Sequence, residues 1–475
     1  MDAGWSPKCE TIPAALQEWG VLKTTSVQPL QFWPHENKAL PKKLKPRINS
    51  EVTEGDILIT RAGPRNRVGI CCVAKSVRPR LMLSDKIIRF KIFGDFIFSD
   101  YCALYLNTGY GSEQIERMKS GMADSQVNVS QNKLKQLCIA LPPLAEQHRI
   151  VAKIDQLMAR CDELEKLRVA RDRLQITVHK VACDRLLTAK DPDTFTQSWQ
   201  FITQHFNELY SVKENVTELR KAILQLAVMG KLVPQDLNDL PACKLLKEIK
   251  EKKQILIKEK KLKAQKQLPE VELSEIPYEL PLSWKWCRWN DIALQIGDID
   301  HKMPAEADEG IPYVSPRDFF GENEINFQKA KKISIQDFKR LSLKIRPERF
   351  DVIFPRYGTL GVNRFVLTDI DFLASYSCAI VKNLRKYIDP KYSYYYSISR
   401  LVRNEIERYK KTTTQANVGV KSIQLFLYPL PPLPEQHRIV AKVDQLMTLC
   451  DQLEQQIDKS TQTQTALLNA TLANI

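Results

Sequence analysis

Between Arg61 and Lys91 the chain carries nine basic residues and one acidic one, and between Lys329 and Arg364 it carries ten basic and three acidic. Groups of that kind at that density suit phosphate oxygens. An arginine fork can also pair bidentately with guanine, and an asparagine or glutamine amide with adenine. The candidates for such contact are Arg61, Arg65, Arg67, Arg78 and Arg80 early in the chain, and Arg317, Arg340, Arg356 and Arg364 later. Two amide pairs join them, Gln126 with Asn128 and Gln415 with Asn417, with the hydroxyls of Thr412, Thr413 and Thr414 beside the second. Each residue also has a plainer reading: an arginine that only solvates the surface, or a short amide that caps a turn.

No comparable case exists for catalysis. His148 and His437 occupy identical motifs, but both fall in the first turn of an expected helix with no nucleophile or carboxylate pair nearby. A structural role is expected for them. The Pro-Pro pairs occur as Leu-Pro-Pro-Leu, which is not the Asn/Asp-Pro-Pro-aromatic loop with which an adenine methyltransferase grips a base. No Gly-x-x-x-x-Gly-Lys-Ser/Thr phosphate loop is present. The eleven cysteines include no Cys-x-x-Cys, and the six histidines are dispersed, so no zinc-ligand spacing arises. The expectation is no catalytic residue, no metal site and no cofactor held by this chain.

The net charge of +15 over 475 residues favours a polyanionic partner. Scattered thiols read as reduced cysteines in a cytoplasmic protein. No apolar run approaches the ~18 residues of a membrane span, so no membrane partner is expected.

The elements that must position these residues are announced by a repeat. Residues 141–165 return at 430–454 with twenty of twenty-five positions identical, at a constant offset of 289. In the first copy Ile150, Ile154, Leu157, Cys161 and Leu164 alternate steps of four and three. In the second, Ile439, Val443, Leu446, Cys450, Leu453 and Ile457 do the same. Such seams predict coiled-coil helices beginning just after the Leu-Pro-Pro-Leu exits, with Pro434 tolerated in a first turn. Between the copies a helix is expected at about 212–229, with Ser211 and Glu214 as a capping box and Gly230 as its stop. Residues 244–266 hold ten lysines and three glutamates and read as a solvated, partly helical linker, with a phosphate-tracking arm as the sharper alternative.

The regions before each copy share a skeleton. Asp56-Ile57-Leu58-Ile59-Thr60-Arg61-Ala62-Gly63 matches Asp351-Val352-Ile353-Phe354-Pro355-Arg356-Tyr357-Gly358, each a buried strand leading through an arginine to a glycine turn. The fold class is therefore α+β, with two mixed α/β domains separated by long coiled-coil helices. The expected divisions are a first domain at 1–143, a conserved helix at 144–190, a helical connector with its basic linker at 191–280, a second domain at 281–432, and a final conserved helix at 433–475. The second domain opens with Trp284, Trp286 and Asp291-Ile292 before Gly310-Ile311-Pro312-Tyr313, whereas the first meets Gly20-Val21-Leu22 almost at once. An opening strand is expected to be missing there, as from a late start or a truncated form.

Both Leu-Pro-Pro-Leu-x-Glu-Gln-His-Arg-Ile-Val-Ala-Lys helices, Glu218-Leu-Arg-Lys-Ala-Ile-Leu-Gln-Leu-Ala-Val-Met-Gly-Lys-Leu-Val-Pro234, and the entry Glu279-Leu-Pro-Leu-Ser-Trp-Lys-Trp286 make the chain resemble the specificity subunit of type I restriction-modification systems. The resemblance implies target-recognition domains that each read one half of a split site in double-stranded DNA. It implies long helices forming an antiparallel coiled coil that spaces the two domains and docks two modification subunits, with restriction subunits completing the complex. S-adenosylmethionine, ATP and magnesium would then sit on the partners. A helix from Pro434 to Leu467 would be about 50 Å long, more than one DNA turn of roughly 34–36 Å. The alternative is a coiled-coil scaffold without sequence-specific DNA binding, which would bind DNA weakly and insensitively to salt.

Overall fold

The computed structural model describes all residues except Phe93, Met122, Gln265, Lys266, Lys302, residues 412–414, Asn474 and Ile475, and gives 471–473 as helix backbone only. The chain divides into two compact units, Met1–Val169 and Ala170–Ile475, with the division inside the first long helix, Leu144–Thr188. Each unit contains one mixed α/β domain, and the chain passes from the first to the second within the helix Leu144–Thr188. Among the described residues no helix is long and apolar enough to cross a membrane.

The shared skeleton is real. In the first unit a four-stranded antiparallel sheet runs in the order Asp2–Ala3, Ile87–Phe90, Ile57–Thr60, Cys71–Val73. In the second the order is Ala293–Gly297, Cys378–Asn383, Val352–Pro355, Arg364–Phe365. The central strand is buried on both faces, and its alternation splits it between two cores. Ile57 and Ile59 enter one cluster and Leu58 another. Val352 and Phe354 enter one and Ile353 the other.

The aspartate at the head of each central strand is buried and paired. Asp56 accepts from Thr53 N at 2.8 Å and lies 3.1 Å from Arg89 Nη1. Asp351 accepts from Glu348 N and from Lys382 Nζ, each at 2.8 Å. A small sheet recurs as well. Gly20–Leu22 lies between Asn37–Ala39 and Leu81–Met82, and Ile311–Val314 lies between Lys331–Ile333 and Leu373–Ala374. In both, one neighbour is antiparallel and the other parallel.

The domains differ where the chain enters and leaves them. In the second, Lys285–Arg288 pairs antiparallel with the exit strand Leu427–Leu430, and all four exit residues are buried. In the first, the corresponding residues 138–141 form no strand. The Gln114 side chain and the Tyr101 hydroxyl take up their polar groups instead.

A fully buried glutamine then starts each long helix. Gln147 Oε1 accepts from Phe98 N at 2.8 Å while its Nε2 donates to Phe96 O and Pro142 O. Gln436 Oε1 accepts from Asp389 N at 2.9 Å while its Nε2 donates to Pro431 O.

The second long helix, Leu433–Ala473, buries Ile439, Val443 and Cys450 and half-buries Leu446, Leu453 and Ile457. Within this unit the seam packs on the helix Lys213–Val228, here called the cover helix, through Val216, Leu219, Ile223 and Leu226. In the first long helix Ile150 and Ile154 are half-buried, whereas Leu157, Cys161 and Leu164 are exposed.

Two local expectations fail. The cover helix has Val212 at its N-cap, and Ser211 Oγ donates to Glu208 O, so no capping box forms. The lysine run is no solvated linker over most of its length. Ala242–Lys258 is a helix whose Ala242, Leu245 and Ile249 enter the core, because its apolar residues recur on one face despite the surrounding charge. The Gly230 stop holds: its φ is +68°, and Lys231 N closes back on Leu226 O at 3.0 Å.

Replacing Gln436 with alanine strands the Asp389 amide and the Pro431 carbonyl without partners. Urea denaturation should show a loss of about 2–4 kcal/mol, and a change below about 0.5 kcal/mol would refute the joint. Burial pushes the Lys253 ammonium, which donates to Asn290 O at 2.7 Å, down to about 8. Above that pH the folded protein releases a proton that the unfolded chain holds to about 10.4, so this group favours folding as pH rises across the window. Lys253→Met should therefore be stabilised relative to the parent at pH 7.5 by more than at pH 10, as read from melting temperatures. A difference constant with pH would contradict the assignment.

Candidate nucleic-acid interface

In both domains the central strand delivers an arginine to the same backbone frame. Val129 N donates to Arg61 O at 2.8 Å, and Val418 N donates to Arg356 O at 2.9 Å. The strand, the glycine turn and the Gln-x-Asn segment thus meet at one place in each domain. The frame is common to both domains, and the fates of the side chains on it are not.

Five of the nine candidate arginines are committed to the fold. Arg356 is buried, with Nη1 ion-paired to Asp298 and Nε on Val418 O at 3.2 Å. Arg364 is buried as well. It donates to Glu324 O, Phe320 O and Gly321 O and lies 4.9 Å from the Phe319 ring centroid. Arg67 ties Thr24 O, Val27 O and Gln28 Oε1. Arg78 reaches Ala14 O, Glu18 O and Pro79 O. Arg80, exposed and with φ +63°, bonds Gln17 O through its side chain and Glu51 through its amide. Arg356 and Arg364 are therefore corrected to structural tethers. Long loops without regular structure leave carbonyls to satisfy, and a planar five-donor fork does this well.

The other candidates reach the surface. Arg317 is exposed. Arg340 is exposed and held by Asp337 at 2.7 Å on its own helical turn. Arg65 is exposed between Glu116 at 2.7 Å and Asp124 at 3.5 Å. Arg61 is half-buried, and its Nε has no hydrogen-bond partner among the described residues.

The amides divide in the same way. Asn128 pairs in the backbone with Ser120 and accepts from Ser120 Oγ at 3.2 Å, and Asn417 bridges to Lys411 and Tyr357, so both are frame residues. Gln126 and Gln415 are exposed. Gly358 has φ +72°, a left-handed backbone conformation that accounts for the glycine there, and Gln415 lies beside it. Thr412, Thr413 and Thr414 lie outside the described residues. His148 lies against Phe98 with ring centroids 4.1 Å apart, and His437 lies 3.7 Å from Asp389 Oδ2, each in the first turn of its long helix.

Sequence reading missed a surface group in the second domain. Tyr376 lies 5.3 Å from His301 and 6.3 Å from Tyr357, between ring centroids, above the Arg356–Asp298 pair. His301 and Lys344, both exposed, reach Asp298 at 3.4 and 3.5 Å. Rings, an imidazole and an ammonium beside Gln415 suit stacking on bases and contact with phosphate. Only Tyr357 carried a signal in the sequence, as part of the repeated skeleton. Among the described residues no cluster of histidine, cysteine and carboxylate could hold a metal ion.

The family model described as type I restriction modification DNA specificity domain matches residues 42–170 and 281–461. The EcoEI specificity subunit of Escherichia coli is 45% identical over 188 residues, which cover 39% of this chain and 32% of that protein. The EcoAI specificity subunit of Escherichia coli is 30% identical over 387 residues, covering 80% of this chain and 64% of that protein. The chain thus spans about a third of one relative and just under two thirds of the other. The crystal structure of the HsdS subunit from Thermoanaerobacter tengcongensis aligns with 96% of this chain and 90% of its own, with a TM-score of 0.44 at 15% identity.

The division of labour among these residues can be measured. Arg356→Gln takes from Asp298 its buried partner, leaving the exposed His301 and Lys344, and should cost about 1.5–3 kcal/mol, whereas Gln415→Ala should stay within about 0.5 kcal/mol of the parent. Chemical denaturation showing the reverse order would return Arg356 to the surface candidates.

Proposed function

The chain belongs to the type I restriction-modification DNA specificity family, and from that premise we propose that it is the DNA sequence-recognition subunit of such a complex. The reading rests on one observation: two domains share strand order, buried aspartate and arginine frame, yet offer different exposed residues on that frame. A common frame with unlike faces suits two unlike half-sites on one DNA. In the first domain Arg61, Arg65 and Gln126 would meet the duplex. In the second Arg317, Arg340 and Gln415 would do so, with Tyr357, Tyr376 and His301 beside them. The formal charge of +15 supplies the phosphate attraction, which carries no sequence information by itself.

On this reading the chain is non-catalytic. Modification subunits would supply methyl transfer with S-adenosylmethionine, and restriction subunits would supply ATP- and magnesium-dependent cleavage, all in the cytoplasm. The long helices would set the spacing of the half-sites and offer docking surface to the modification subunits. The Leu433–Ala473 helix is about 60 Å long at ~1.5 Å per residue, longer than a DNA turn.

Exchanging residues 281–432 for another recognition domain, with the modification subunits co-expressed, should change one half of the methylated site. Sequencing that shows both halves changed, or neither, would sink the modular reading. Arg317→Ala and Arg340→Ala should each lower the slope of log affinity against log salt by about one and weaken binding to all duplexes alike. Affinity that does not change with salt would favour the scaffold alternative.

A further inference from the structure

The two long helices carry one surface in two conditions. In the second copy that surface is covered by the chain from the cover helix to Asp239. Val216, Leu219, Ile223 and Leu226 fill the seam. Arg220 donates to Asp451 and to Met447 O and lies 3.4 Å from Glu454. After the Gly230 turn, Gln235 Nε2 donates to Glu435 Oε1 at 2.6 Å, and Asp239 pairs with Arg438 at 2.6 Å. Glu435 is fully buried, with Trp284 against it as well as Gln235, and Cys450 is 2% exposed.

The first copy keeps the groups that receive the cover up to Glu165; beyond it Arg168 and Val169 stand where Ile457 and the Lys213-paired Asp458 stand. Glu146 and Arg149 stand where Glu435 and Arg438 stand, Met158 and Cys161 where Met447 and Cys450 stand, and Asp162 and Glu165 where Asp451 and Glu454 stand. Among the described residues of the first unit nothing covers the same face: Met158 is 58% and Leu164 67% exposed, and Glu146, Arg149, Cys161 and Asp162 are all exposed. Asp162 has no ion-pair partner among the described residues, and Glu165 pairs with Arg168 of its own helix at 2.8 Å. Solvation alone asks for no leucines and methionine here. A cluster of this kind exposed on one face marks a protein contact.

We propose that the 146–165 face of the first long helix is the docking site for a second segment built like residues 213–239. That segment is an amphipathic helix with an apolar stripe in the Val216–Leu219–Ile223–Leu226 spacing and an arginine in the Arg220 place. A glycine turn follows, and then a glutamine and an aspartate that meet Glu146 and Arg149. The occupant is thus a protein segment, recognised by an apolar seam and three polar contacts of known pairing. The inference does not depend on the DNA-binding reading.

Cys161 reports occupancy directly, because its counterpart Cys450 is closed off by the cover. The test adds a synthetic peptide of residues 211–240 to the full chain and follows N-ethylmaleimide labelling by peptide mass spectrometry, with exposed Cys138 and Cys243 as references. Without peptide, Cys161 should label at the rate of the references. Saturating peptide should slow it about tenfold or more, leaving Cys138 unchanged. A peptide carrying Arg220→Glu should need about tenfold more for the same protection, a difference of ~1.4 kcal/mol, and Asp162→Arg in the chain should restore its potency. Cys161 unreactive in the chain alone would show the face already closed and overturn the proposal. So would labelling unaffected by peptide at about 1 mM, the range of a negligible affinity of ~4 kcal/mol, or protection indifferent to the charge exchange.

Discussion

A primary amide buried at the start of each long helix fixes how that helix leaves its domain. The chain arrives through two prolines, which donate no backbone hydrogen bonds and leave carbonyls to be satisfied. Gln147 and Gln436, both fully buried, take the preceding proline carbonyl with one end and a domain backbone amide with the other. An enclosed amide has strict geometric demands, since any unmet donor or acceptor costs the full desolvation of that group. The direction of the helix is thereby tied to the domain core. Only with that direction set does the seam of the second helix face the cover helix, and only then do Arg220 and Gln235 find Asp451 and Glu435.

The buried aspartates at the strand heads perform a related task inside each domain. Asp56 and Asp351 sit where a sheet meets a loop, and each gathers an amide and two cations from separate segments. At Asp351 burial raises the carboxyl above its ordinary range despite Lys382, so this anchor is held in a low-dielectric setting where its partners count for most. Variation on the exposed loops can then proceed without moving the strand. The two domains behave accordingly: same strand order, same turn, different surface.

What the sequence disclosed and what it hid follow from range. The repeat disclosed the long helices, because twenty identities in twenty-five residues cannot specify two structures at the helix start. It also disclosed the central strands, since four consecutive apolar or small residues bounded by aspartate and glycine read as buried on both faces. Hidden were contacts whose partners lie far away in the chain. Arg356 looked like a reader of bases because its pairing with Asp298, fifty-eight residues earlier, leaves no local pattern. Ser211 had the spacing of a capping box, yet its hydroxyl was already engaged by Glu208 O. The lysine run was read as partly helical, but its charge hid the burial of three apolar residues on one face of that helix. Gln436 was in plain view within the repeated Glu-Gln-His, but the histidine drew the chemical reading while the glutamine made the bonds.

These misreadings bear on how a basic protein should be read for polyanion contact. Arginine content measures two things at once, because the guanidinium that suits a phosphate also suits a cluster of loop carbonyls. Domains with short strands and long connections have many such carbonyls, and here Arg67, Arg78 and Arg364 are held by them in different loops. Burial and partner count separate the two uses, and neither is written in composition. The exposed set that remains is smaller and mixed: a few arginines, two glutamines, and rings standing over a buried ion pair. That mixture is better suited to discrimination than a uniform cationic surface, since charge attracts every phosphate equally while amides and rings respond to the base itself.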